Sequence, residues 1–241
     1  MVQLTTRERV DAFWCETLAV DSAALHAPGV HARPNPPDRQ GWPGIYVLAF
    51  DKAANVFAPA DLLPRIQARA VDYDADAALD PLVWAAELGP VRSTVLGPSV
   101  HFYRDDRDGL TAYAGGRRIN PRDAQALGAL RGAIPHDEWE ASGFTAQSGL
   151  LFGLFGDDGR ILAAANLTPG PDSATDVGVV VHPEARDRGY DVQVAAAATL
   201  QAIAIHGIAR YRALADDPGA LALASTLGFS EYGRSLVVYL G

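Results

Sequence analysis

The sequence predicts an α/β (α+β) protein. Its C-terminal half reads as a mixed, mostly antiparallel central sheet flanked by helices, preceded by a smaller α+β N-terminal domain. Three observations carry that expectation. From Leu110 onward, short apolar runs and longer helical patterns succeed one another in the order β-α-β-β-β-α-β-α-β. Asp157-Asp158-Gly159 sits between two of the runs, where a tight hairpin needs residues that tolerate positive φ. The valine-rich run Asp176–Val181 reads as a buried strand and is followed closely by a long apolar helix.

Taken in order, Thr6 to Val20 is an amphipathic helix with Val10, Phe13, Trp14 and Leu18 at helical spacing. His31 to Gly44 is dense in proline and glycine and is expected to be loop. Ile45–Phe50 and Asn55–Phe57 are two short strands joined by a turn at Asp51-Lys52-Ala53. Helical patterns follow near 60–70 and 81–88, then a strand near 100–103, with acidic turns at 72–76 and 105–108. His26, His31 and His101 are dispersed among these elements and imply no ligand set. The N-terminal domain is placed at 1–113 and the second at 114–241.

In the second half Arg118-Ile119 ends a short strand, and Asn120-Pro121 starts a helix with Ala124, Leu127, Leu130 and Ile134 inward. A loop through His136–Glu140 leads to strands at 150–155 and 161–166. After Asp176–Val181, Gly189 opens a helix from Tyr190 to about His206. A strand at 211–214, a helix at 219–227 and a closing strand at 235–240 complete the order. The 190–206 helix is apolar nearly all round, so more than one of its faces is expected to be covered, by the N-terminal region or by a second subunit in a homodimer.

Composition narrows the function classes. A net charge of −9 lacks the basic face that phosphate contacts demand, so no nucleic-acid partner is expected. It is compatible with a cationic substrate such as an amine. No apolar run reaches the roughly 18 residues of a membrane span. The polar start resembles no signal peptide, and Cys15 is the single cysteine, so neither a disulfide nor a thiolate metal site is expected. A cytoplasmic protein without metal is the expectation.

Two motifs point further. Val179-Val180-Val181-His182-Pro183 leads into Arg186-Asp187-Arg188-Gly189-Tyr190-Asp191 at the start of the long helix. Gly219 to Phe229 ends in Leu227-Gly228-Phe229 before the last strand. A helix start carries unpaired N–H groups and about half a positive charge, and glycine lets a pyrophosphate approach that backbone. Together with the element order, these motifs resemble the GCN5-related N-acetyltransferase (GNAT) family, in the layout of its two-domain bacterial type. The resemblance covers the C-terminal half. It implies acetyl-CoA as co-substrate, with Val179 and Val181 lining a splayed strand edge. Arg186, Asp187, Arg188, Gly189, Tyr190 and Asp191 would surround the pyrophosphate.

The sequence departs from the family's pattern at three positions. Asp187 and Asp191 replace small residues where a dianion would dock, and a like-charge pair at 4 Å costs up to about 4 kcal/mol at a dielectric near 20. Ala224 stands where many members carry a tyrosine acid. The candidate catalytic residues are Asp176, matching an acidic base position of some members, Tyr232 as a substitute acid, and Glu140, with Glu138, beside the acceptor side. The resemblance implies acetyl transfer to a primary amine, on a small molecule or a peptide, by direct attack. The alternative is a non-catalytic GNAT-fold binding or regulatory protein that has lost acetyl-CoA.

Overall fold

The computed structural model describes residues 5–89, 92–111, 116–144, 150–169 and 175–240. Compactness divides the chain into two interleaved units. The first comprises Met1–His101, Ala213–Pro218 and Glu231–Gly241; the second comprises Phe102–Arg212 and Gly219–Ser230. The expected boundary between 113 and 114 falls outside the described residues.

The first unit opens with α1 (Thr6–Leu18), whose N-cap Thr5 and Glu8 form a reciprocal capping box. Short α2 (Ser22–Leu25) is followed by β1 (Gly29–Pro34), β2 (Gly44–Phe50) and β3 (Ala53–Ala58). β1 corrects the sequence expectation of loop from His31 onward. It is an edge strand parallel to β3, a position where Pro34 is tolerated. Three helices follow, α3 (Leu63–Ala70), α4 (Ala75–Ala78) and α5 (Pro81–Leu88), then β4 (Ser93–Arg104), which is far longer than the expected 100–103.

The closing strand β10 (Ser230–Leu240) belongs largely to this unit. It runs antiparallel to β2, from Arg234 opposite Ala49 to Tyr239 opposite Gly44, and the strand order is β1-β3-β2-β10-β4. Ile45, Val47, Val56, Trp84, Leu236 and Val238 share one core. Every residue of β2 and β3 is buried, so helices cover both faces of that hairpin.

The second unit carries β5 (Gly116–Arg118), α6 (Ala124–Ala133), α7 (His136–Ala141), β6 (Leu150–Phe155), β7 (Ile161–Pro169) and β8 (Thr175–Val181). It continues with α8 (Tyr190–His206), β9 (Ala209–Leu214) and α9 (Pro218–Thr226). From β5 to β10 the order is the expected one with a single addition: α7 occupies the segment read as loop. Pro135 at its N-cap with Asp137 and Glu138 in the first turn suits a helix start, and Trp139 is buried against Phe144. The strand order is β9-β8-β7-β6-β5, antiparallel except for β8 and β9. Ile119, Leu130, Trp139, Ile161 and Val180 form its core on the α6 side.

The apolar helix α8 buries a broad stripe of Val194, Ala195, Ala198, Thr199, Ala202 and Ile203. Alanines there let it lie close to β7, itself alanine-rich. Ile205 remains 51% exposed, so the covering of a further face that the sequence suggested is not complete within this unit.

Candidate active site

The site is built where two parallel strands part. β8 is paired along its whole length with β7, from Pro169 opposite Thr175 to Ala163 opposite Val181. Among the described residues it pairs with β9 only at Thr175 opposite Ala209 and Asp176 opposite Arg210. Beyond that point the register stops, which leaves the β9-facing edge of Val177–Val181 to an extended ligand, as in strand addition. Val179 and Val181 are half-buried on this stretch.

The apex of the fork is pinned by Asp176 and Arg210. Arg210 Nε and Nη2 both donate to the Asp176 carboxylate, the latter at 2.6 Å. Burial works against the guanidinium's charge, but the bond and charge of Asp176 outweigh it and hold the Arg210 pKa above its ordinary value. Tyr103 adds to that effect. Both oxygens of Asp176 are thus committed to Arg210, and the expected base is first of all a structural partner.

At the other end of β8 the chain turns through a single 3-10 turn, Pro183–Ala185. His182 caps it by accepting the Glu184 N–H on Nδ1, a structural role. Two left-handed residues then set the loop: Asp187 at φ 61° and Gly189 at φ 69°. Glycine adopts such a φ freely, whereas aspartate does so at some cost. Gly189 is the N-cap of α8 and supplies no side-chain cap, and a Cβ built on it would meet nothing within 4 Å. The first N–H groups of this 17-residue helix thus receive no side-chain cap from Gly189, and a helix start of that kind suits an anion.

The side chains around that helix start are less favourable. Arg186 is engaged by Glu138, with Nη2 at 2.7 and 3.0 Å from the two carboxylate oxygens. Glu184 lies 3.3 Å from Arg160. Arg188 is exposed and makes no hydrogen bond or ion pair with the described residues, and the same loop carries the carboxylates of Asp187 and Asp191. A helix start attracts an anion, and the carboxylates of Asp187 and Asp191 oppose one.

The remaining predicted residues belong to different units. Glu140 is exposed on α7, two residues from the Glu138 that binds Arg186. In the first unit the Tyr232 hydroxyl donates to Asp11 at 2.5 Å, its ring packs edge-on against Phe50, and Arg7 lies 5.9 Å from its centroid. Its phenol is engaged in packing α1 against the closing strand. Ala224 is fully buried on α9. The Leu227-Gly228-Phe229 motif is that helix's C-cap: Gly228 sits at φ 67°, and the Phe229 N–H donates to the Ala224 carbonyl. Arg104, buried, donates to the Leu227 carbonyl.

Sequence reasoning missed the contact that shapes the fork's other face. A Cβ at Gly178 would stand 1.8 Å from the Ser142 carbonyl oxygen and 2.2 Å from Asn166 Oδ1. The C-terminal turn of α7 therefore presses directly on β8, and the buried Asn166 amide donates to the Gly143 carbonyl at 2.6 Å. The glycine between Val177 and Val179 was the available signal for such an approach.

A forked parallel pair, a loop leading to an uncapped helix and the order β-α-β-β-β-α-β-α-β now stand together. The stretch from β5 to β10 carries the element order and the forked strand pair that the GNAT resemblance implies. Among solved structures, an acetyltransferase of the GNAT family from Colwellia psychrerythraea aligns with 66% of this chain and 62% of its own, at 18% identity and a TM-score of 0.48. A GCN5-related N-acetyltransferase from Kribbella flavida aligns with 99% of this chain and 96% of its own, at 15% identity and a TM-score of 0.48. One from Sphaerobacter thermophilus aligns with 66% and 55%, at 16% identity and a TM-score of 0.46. The chain thus spans less than two thirds of the Colwellia and Sphaerobacter proteins. No protein-family model matches it, and no curated protein does.

Proposed function

We propose that this protein is an N-acetyltransferase that transfers the acetyl group of acetyl-CoA to a primary amine on a small molecule or peptide. The observation that carries the reading is the fork: β8 and β9 pair at two positions only, and the freed β8 edge leads to the uncapped N-terminus of α8. In this reading the backbone of Val177–Val181 pairs with the pantetheine arm, and the N–H groups of Tyr190 and Asp191 hold the pyrophosphate. When bound, acetyl-CoA supplies the electrophilic thioester carbonyl.

The chain's own contribution is orientation and electrostatics. Asp176 and Arg210 fix the apex, so the β8 edge is presented in one geometry. In this reading the α7 turn closing on Gly178 bounds the acceptor side, and exposed Glu140 attracts a cationic amine and takes its proton through water. Tyr232 is tied to Asp11 and serves packing. The thiolate leaves without a tyrosine acid, which its low basicity allows.

Isothermal titration with acetyl-CoA tests the proposal. Saturable binding that is lost when Gly189 is replaced by a bulky residue supports it. Absence of heat together with an unchanged melting temperature would leave the non-catalytic reading, in which Asp187 and Asp191 have taken over the charge of the α8 start.

A further inference from the structure

A cavity lies on the outer margin of the same unit, at β5 and β6, two strands away from the fork. It has a volume of about 380 Å³ and is lined by Arg118, Ile119, Pro121, Ala124, Leu127 and Leu151, with Asn120 at its polar side. That size falls within the roughly 300–1,000 Å³ of small-molecule pockets. Its walls come from the edge of the α6-side core. Ile119 is held to β6 by its N–H donating to the Leu151 carbonyl at 2.8 Å, and Leu127 and Leu151 are only partly buried against that core.

Beside this cavity the side chains of Asn120 and Asp123 are engaged within the protein. Asn120 donates its side-chain amide to the Arg118 carbonyl at 3.1 Å and its backbone N–H to Asp123 at 2.9 Å. Asp123 in turn takes both Nη atoms of Arg117, at 2.7 and 2.8 Å, so its negative charge is neutralised within the protein. The Arg117 guanidinium also lies 3.6 Å from the centroid of the Phe155 ring. The Arg118 guanidinium, by contrast, makes no hydrogen bond or ion pair with the described residues. An exposed cation beside a cavity with one apolar wall favours a ligand with an anionic head and an apolar body.

We infer that this cavity binds a small monocarboxylate with an apolar body, its head paired with Arg118 and its body against Ile119, Leu127 and Leu151. An amine is disfavoured by the like charge of Arg118, and a neutral apolar molecule forgoes the ion pair. This site does not depend on acetyl transfer, and its test is separate from that of the fork.

The test is a titration of the ¹⁵N-labelled protein with sodium hexanoate, sodium butyrate and 1-hexanol at fixed pH and ionic strength, followed by amide NMR. Saturable shifts are expected at Ile119, Ala124, Leu127 and Leu151. Affinity rises by about fourfold per methylene from butyrate to hexanoate, from burial of apolar surface. Hexanoate binds about fivefold tighter than hexanol, the difference made by an exposed ion pair. Arg118→Gln, at an exposed position that leaves the fold intact, brings hexanoate down to hexanol. Shifts that never saturate, shifts centred elsewhere, equal binding of hexanoate and hexanol, or a carboxylate preference that survives Arg118→Gln would each overturn the inference.

Discussion

Replacing the two loop aspartates by asparagine perturbs the charge of the α8 start while keeping its shape. Asparagine tolerates the left-handed φ of 61° that Asp187 adopts, so Asp187→Asn leaves the backbone in place. Asp187 is exposed, so a water-like dielectric applies: a carboxylate about 6 Å from one phosphate charge costs about 0.7 kcal/mol, and about 1.4 kcal/mol against two. That amounts to about tenfold in the dissociation constant of acetyl-CoA. Asp191 is half-buried in the first turn of α8, so its removal brings at least as much. It also forfeits about 0.3–1 kcal/mol of helix stabilisation. The double variant is expected to bind acetyl-CoA about a hundredfold tighter at low ionic strength, a gain that shrinks as salt shortens the Debye length below about 10 Å. Calorimetric titration at low and high salt reads both effects. Unchanged affinity, or a gain indifferent to salt, would refute the electrostatic account of this loop.

Four further outcomes follow from particular contacts. Asp176→Asn leaves the largely buried Arg210 without its counter-charge and should cost about 3 kcal/mol or more of stability, read from denaturant midpoints. Gly178→Ala drives a methyl group into the Ser142 carbonyl and should cost about 1–3 kcal/mol by displacing the α7 turn, visible as a lowered melting temperature. Tyr232→Phe removes the bond to Asp11 and should cost about 1–2 kcal/mol while leaving acetyl transfer intact; lost activity in a folded variant would restore the tyrosine as an acid. Glu87 accepts from Tyr73 at 2.5 Å and from Arg69 at 3.1 Å, and these bonds, that of Tyr73 foremost, hold its carboxyl below the ordinary range. Its stability contribution is in place above the unfolded value of about 4.3 and is lost as pH falls through the depressed folded value. Calorimetry should show Glu87→Gln less stable at pH 7 and converging with the parent protein in acid.

The elements that sequence made legible are those whose signal is local. The ends of α5 and α8 coincide with Pro81 and Gly207, residues that start and stop helices by their own backbone preferences. The 157–159 turn, with Gly159 at φ 78°, is likewise set by local chemistry. β1 was hidden because an edge strand tolerates proline and turn-like composition, and α7 because six residues are too few for a clear period. The partnership of β10 with β2 joins residues nearly two hundred positions apart, which no local pattern encodes. At the site, the strand, the loop and the helix start could be read in order. The commitments of the side chains could not: that Asp176 faces Arg210, that Glu138 holds Arg186 and that Tyr232 meets Asp11 are consequences of register and packing.

The measurement that bears most directly on the central claim is titration of the full chain with acetyl-CoA, followed by the Asp187→Asn, Asp191→Asn variant under the same conditions. The account predicts one saturable site in both, weaker in the parent protein and tightened by removal of the two charges. No heat from either protein, with melting temperatures unmoved by the ligand, would contradict it and assign the fork and the α8 start to a role other than acetyl transfer.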